Sequence, residues 1–299
     1  MFKPQCADQH IAGVPERCIV AETTIPSWKQ LPSASSVLET AQAVQCQACH
    51  RESASNGMSQ EDERAARDKE SAGYEEWYLS RGYYYDWVER KTILDFLQPK
   101  STDIVLDAGC GTGRLARDIA KICTKVYCAD FSPKSIEVLN ATASEAGIQN
   151  IVSQVHDIKE QFPFTELVDK VVCAQVIQHL PGHEAKVAAL RNLRECLRPG
   201  GHCVITVYNW NARLFNRSLH QTGTFPNGID YVRFSTDQAK VMFKSAGFDN
   251  VHVRGCLNLK GYARNYPIFK YGARLDVSLS RLPVSRITGD FLIITAQKH

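Results

Sequence analysis

The sequence has no apolar run approaching the roughly 20 residues needed to cross a bilayer. Its longest runs, such as 171–174 and 291–296, stop far short, so no transmembrane helix and no membrane partner are expected. Charge of one sign is also missing. The 35 Lys and Arg against 32 Asp and Glu leave a formal net charge of +3, which by itself demands neither a nucleic acid nor an anionic surface. No Gly-Lys-Ser/Thr follows a glycine-rich turn, which excludes a P-loop. Asp8, Pro15 and Glu16 interrupt any apolar stretch in the first twenty residues, arguing against a cleaved secretion signal. The 11 cysteines are scattered along a chain of 299 residues and read as reduced thiols, with the cytoplasm as the expected compartment. No internal repeat is present.

What the chain does contain divides into two parts. Residues 1–72 lack sustained periodicity, are rich in Ser, Ala, Gln and Glu, and end in the charged run 61–70; they read as a poorly structured tail or appendage. Residues 73–299 read as one domain. Aromatics crowd together at Trp77, Tyr78, Tyr83, Tyr84, Tyr85 and Trp87, and Val88, Ile93, Leu94 and Leu97 then recur at helical spacing. Short apolar runs alternate with helical segments after that: strands at 104–106, 125–129, 151–155, 170–174 and 202–208, and helices near 114–122, from Ser132-Pro133 to Gly147, and before Arg198-Pro199-Gly200-Gly201. Such alternation predicts an α/β domain with a mostly parallel sheet. Residues 209–234 have little periodicity and read either as a substrate loop or lid, or as an inert insertion. Ser235 and Gln238 have capping-box spacing for a further helix ending at Gly247, and strands at 251–255 and 290–296 close the domain.

The chemistry is concentrated in Asp107-Ala108-Gly109-Cys110-Gly111-Thr112-Gly113. A parallel strand running into glycines and then a helix offers unpaired N–H groups and close backbone approach to a nucleotide. A dinucleotide fingerprint, G-x-G-x-x-G, places its third small residue where Arg114 stands; here the third glycine arrives one position earlier.

The pattern D-x-G-x-G-x-G resembles motif I of the class I SAM-dependent methyltransferases (SAM, S-adenosylmethionine), and the similarity runs over about residues 83–297. It implies a Rossmann-like three-layer sandwich with a seven-stranded sheet of order 3-2-1-4-5-7-6, the last strand antiparallel. It also implies SAM as the methyl donor, with no metal required. Asp130, seventeen residues beyond Gly113, has the spacing of a carboxylate that accepts both ribose hydroxyls, with Phe131 over the adenine. By resemblance Asp157 accepts the adenine amino group, the backbone of Ile158 approaches the ring, and Gln175 lies where the methionine part is held. Asp107, Gly109, Cys110, Gly111 and Gly113 complete the donor set.

Displacement at a sulfonium methyl needs mainly placement, with a base only where the acceptor arrives protonated. His179, just past the fourth strand, is the candidate base, with packing or capping of a short helix as the plainer alternative. Tyr84, Tyr85, Tyr208, Trp210, Asn211 and Arg233 are the candidate acceptor-pocket residues, with ordinary core packing as the alternative for the aromatics. Arg81 is a candidate partner of the SAM carboxylate or a solvated surface residue. A small-molecule acceptor is the leading expectation, a tRNA or other RNA the second, and a non-catalytic SAM sensor or scaffold the third. The RNA reading draws on eight Lys or Arg against two Asp over 254–299, with Tyr262, Tyr266, Phe269 and Tyr271 interleaved. Cys46-x-x-Cys49-His50 has the form of a haem c attachment sequence, and with Cys6 and Cys18 could make a four-cysteine zinc site; neither is expected, since haem attachment calls for an exported protein and a structural zinc site for two close-spaced cysteine pairs where one is present.

Overall fold

The structure is a computed structural model that describes residues 58–71, 73, 76, 83–259 and 272–299. The Cys46–His50 motif, Cys6, Cys18, Arg81 and the aromatics of 262–271 lie outside the described residues.

The strands form because β-branched and apolar residues run continuously where both faces must be covered. β1 (Ile104–Ala108), β2 (Lys125–Asp130), β3 (Ile151–Val155), β4 (Val168–Ala174) and β5 (Leu197–Tyr208) pair in parallel. The helices are α1 (Gln60–Ser71), α2 (Tyr83–Leu97), α3 (Arg114–Ala120), α4 (Pro133–Glu145) and α5 (Gly182–Cys196), followed after residue 234 by α6 (Thr236–Ser245). A short hairpin, β6 (Thr222–Thr224) and β7 (Asp230–Val232), stands apart from the main sheet. β8 (Asp249–Cys256), α7 (Ala273–Leu279), α8 (Ser285–Thr288) and β9 (Phe291–Gln297) complete the described chain. The seven-stranded sheet has the order β3-β2-β1-β4-β5-β9-β8, with β9 antiparallel to both neighbours. The chain therefore has the Rossmann-like fold and strand order expected.

Successive strand residues feed opposite layers. Leu106, Val171, Cys173, Cys203 and Ile205 pack with Leu190 and Leu193 of α5 and Met242 and Phe243 of α6. Val105, Val126, Val172 and Val204 point the other way, onto Ile93 and Leu97 of α2, Ile119 of α3 and Leu139 of α4. Local signals hold at the helix ends. The Ser132 hydroxyl accepts from Ser135 N with Pro133 in the first turn, and Ser235 and Gln238 form a reciprocal capping box.

Two segments differ from the sequence reading. The charged run assigned to the tail is the twelve-residue helix α1, started by Ser59, whose hydroxyl accepts from Asp62 N at 3.1 Å. Only Ser71 of α1 is buried, so no apolar stripe marks it in the sequence. The segment 209–234 contains a 3-10 turn (Asn211–Leu214) and the β6-β7 hairpin, whose strands of three residues are too short to show alternation. No helix among the described residues is long and apolar enough to cross a membrane.

Candidate active site

Parallel strands β1, β2 and β4 end together where the strand order reverses, the place in a doubly wound sheet where a crevice opens. A cleft enclosing about 930 Å³, part of it open to solvent, lies at that edge. Its floor is the glycine turn. Gly109 has φ 73°, and a Cβ there would lie 2.2 Å from Val176 Cγ2. Gly113 has φ 81°, and a Cβ would lie 2.0 Å from Leu139 Cδ1. Both positions thus require glycine on two counts, a left-handed backbone and contact with a packed side chain. Gly109 and Gly111 line the cleft; Gly113 instead starts α3 beneath it.

Asp130 ends β2 with its carboxylate buried and held by two amides, Gly111 N to Oδ2 at 2.8 Å and Ser132 N to Oδ1 at 2.9 Å. Burial raises its pKa and these two N–H donors oppose the rise. Each oxygen keeps a lone pair for a further donor, which fits a pair of ligand hydroxyls. Asp157 follows β3 and accepts from Lys159 N (2.9 Å) and, at 2.5 Å, from the Gln60 side-chain amide. Phe131 and Ile158 line the cleft between these carboxylates. Gln175 sits at the opposite end in a left-handed conformation, φ 59°, with its N–H on Thr206 O at 3.1 Å and its side-chain amide on buried Glu89 of α2.

Asp107 and Cys110 do not face the cleft. Asp107 is 2 % exposed beneath the turn, and burial, with Asp130 nearby, pushes its pKa up to about 7. Asp107 Oδ2 has no hydrogen-bond partner among the described residues. Cys110 packs into the layer with α3, and its thiol donates to the Gly111 carbonyl at 3.6 Å.

His179 closes the 3-10 turn Ile177–His179 and lines the cleft. Its Nδ1 lies 2.8 Å from the Asp230 carbonyl of the hairpin. A carbonyl only accepts, so Nδ1 carries the hydrogen and Nε2 keeps its lone pair. Desolvation, reinforced by the Arg67 guanidinium, brings its pKa down to about 3.

The candidate pocket residues separate. Tyr208 packs edge-on against His179 (ring centroids 6.0 Å), and Arg233 lies over the Tyr208 and Tyr231 rings at 5.2 and 5.4 Å. Both stand behind His179, not among the residues that line the cleft. Tyr85 packs on Phe291, with ring centroids 5.9 Å apart. The structure does not bring Tyr84, Trp210 or Asn211 to the cleft. The Tyr84 hydroxyl donates to Asp276 of α7 at 2.6 Å, Trp210 stacks on the Arg213 guanidinium, and Asn211 Nδ2 donates to Thr236 Oγ1 at 2.7 Å. Each meets a nearer polar or cationic partner, three residues away for Trp210 and far along the chain for Tyr84 and Asn211.

Sequence reasoning missed the face that α1 presents. Gln60, Glu63, Arg67, Glu70 and Ser71 all line the cleft, at spacings of three, four, three and one that fall on one side of a helix. The signal was available only as a polar stripe, which in a sequence is indistinguishable from a solvated face. Among the described residues, no group of three or more His, Cys, Asp or Glu is placed to hold a metal ion.

Comparison with known proteins agrees with this geometry. Residues 105–201 match the family described as a methyltransferase domain. The chain is 29% identical over 161 residues to a ubiquinone biosynthesis O-methyltransferase of Cupriavidus pinatubonensis, covering 50% of this chain and 62% of that protein. A protein of the same name from Paracidovorax citrulli is 29% identical over 171 residues, 54% of this chain and 70% of that one. The chain thus spans somewhat less than two thirds of the first relative. Among solved structures, DhpI in complex with SAM and HEP superposes with a TM-score of 0.57 at 17% identity, over 82% of this chain and 100% of that one. A SAM-dependent methyltransferase of Thermotoga maritima gives 0.54 at 18% identity, over 79% and 99%.

Proposed function

The chain carries a class I SAM-dependent methyltransferase domain, and from that premise we propose that the protein moves the methyl group of SAM onto a hydroxyl of a small-molecule acceptor. One observation carries the reading: Gly109, Gly111, Asp130, Phe131, Asp157, Ile158, Gln175 and His179 line a single cleft. The names of the relatives support oxygen as the acceptor atom. On this reading Asp130 holds the ribose hydroxyls, Asp157 the adenine amino group, and the turn at Gly109 and Gly111 the methionine part together with Gln175. When bound, SAM supplies a methyl carbon made electrophilic by its sulfonium.

The residues of the chain contribute placement and a proton acceptor. The Asp230 carbonyl fixes the His179 ring through Nδ1, which leaves Nε2, 3.5 Å from the Gln178 side-chain amide, as the ring nitrogen that can take a proton. The imidazole is kept uncharged at rest by burial, with its one hydrogen on Nδ1. It takes the proton of the hydroxyl as that oxygen commits its electron pair to carbon, so proton transfer accompanies the displacement.

The test is turnover of SAM labelled in its methyl group, with a panel of hydroxylated aromatic and aliphatic compounds and product mass as the readout. We expect one labelled methyl ether together with S-adenosylhomocysteine. His179→Ala should lower kcat by about 10² to 10⁴ while leaving S-adenosylhomocysteine affinity within about twofold. Unchanged turnover in that variant rejects the role of His179.

A further inference from the structure

Helix α1 is held across the cleft by polar contacts at three places. At its start, Gln60 Nε2 donates to Asp157 Oδ2 at 2.5 Å. Near its end, Asp68 accepts from Ser132 Oγ and from Lys134 N, at the first turn of α4. At the hairpin, Asn227 Nδ2 donates to Glu70 Oε1 at 2.5 Å. Met58 also packs on the hairpin turn, where a Cβ on Gly228 would lie 2.3 Å from its Cε. Against these contacts, the helix buries Ser71 alone. A helix docked by exposed hydrogen bonds with so little apolar burial has a low cost of local opening.

The Gln60 contact stands out because of its chemistry. A primary amide N–H₂ occupies the same carboxylate that the proposed function gives to the adenine amino group, also an N–H₂ donor on a planar conjugated system. The other oxygen, Asp157 Oδ1, already serves Lys159 N, and the Lys159 ammonium lies 3.2 Å from Oδ2. Oδ2 is therefore taken by Gln60 and Lys159 when Gln60 is in place, while Oδ1 accepts from Lys159 N alone, so a further N–H₂ donor directed at Oδ2 must displace Gln60.

We propose that Gln60 is an internal competitor in the donor site: it and the adenine amino group exchange on Asp157 Oδ2, so that a purine bearing the amino group gives up part of its advantage in displacing the Gln60 amide. This rests on the SAM reading given above. Exchange makes Gln60 a competitor that a purine with the amino group can displace and one without it cannot.

The test compares S-adenosylhomocysteine with S-inosylhomocysteine, which carries oxygen in place of the amino group, by calorimetry on the full chain and on Gln60→Ala. Removing Gln60 leaves no bond to displace, so S-adenosylhomocysteine should bind about three- to tenfold more tightly. The affinity for S-inosylhomocysteine should stay within about twofold, since it has no use for Asp157 as an acceptor. Gln60→Met, which keeps the length of the side chain and its helix propensity, should reproduce the effect if it comes from the amide alone. Weaker or unchanged S-adenosylhomocysteine binding in both variants overturns the exchange, and so does equal tightening of the two ligands. Binding of neither ligand by the unaltered chain defeats the SAM reading itself, a separate outcome.

Discussion

The floor and the roof of the cleft are built by opposite means. The floor, Gly109 to Gly113, is set by covalent geometry and core packing: positive φ at each glycine, Val176 and Leu139 pressed against two of them, and Asp130 holding Gly111 N. The roof, α1, is set by side-chain hydrogen bonds to residues 64 to 157 positions away. A rigid floor and an easily opened roof suit the proposed function, in which the site admits a donor of fixed shape and releases its product.

The largest expected effect strikes the floor. Gly109→Val places a branched side chain in a left-handed backbone and into Val176, and should abolish S-adenosylhomocysteine binding and destabilise the chain by about 3 kcal/mol or more. Gly147→Ala is the matched control: φ is 67°, yet nothing lies within 4 Å of a new Cβ. It should cost about 1 kcal/mol by thermal or urea unfolding and leave binding untouched. Equal losses of binding in both variants would show that the floor is not specially placed.

A second effect lies beneath the floor and depends on pH. Asp107 titrates at about 7 in the folded chain against about 4 when unfolded, so the folded state binds more protons between these values and the contribution of Asp107 to stability falls as pH rises through that window. Asp107→Asn should therefore raise Tm at pH 8.5 and change it little at pH 5. A larger rise at pH 5 than at pH 8.5 would reverse the sign of this account. The smallest effect belongs to a residue outside the cleft. Tyr84→Phe removes the hydroxyl that donates to Asp276, which should cost about 1 to 2 kcal/mol of stability and leave donor binding and KM for the acceptor unchanged.

The same contrast explains what the sequence made legible. Ser132, Pro133, Gly147 and the Ser235–Gln238 box act on their own neighbours, and each appears where its spacing put it. The alternation of apolar runs predicted the sheet because burial on both faces leaves little freedom in composition. Asp130, Asp157 and His179 reach the cleft because each lies at or just beyond the end of a parallel strand, and the topology converges those ends. Tyr84 and Asn211, expected at the acceptor pocket, stand away from the cleft because their direction is decided by Asp276 and Thr236, partners 192 and 25 residues away. The place of α1 over the cleft was illegible for a related reason: Gln60 and Arg67 sit in a polar stripe whose partner surface, the cleft, exists only after folding.

The central claim is that the cleft at the carboxyl edge of β1, β2 and β4 is a SAM site organised by Asp130. Calorimetric titration of S-adenosylhomocysteine into the unaltered chain and into Asp130→Ala, with Tm of both recorded, tests it most directly. The account predicts saturable binding at one site, weakened at least about tenfold in the variant while it remains folded. Absence of binding to the unaltered chain, or equal binding to both proteins, would contradict it.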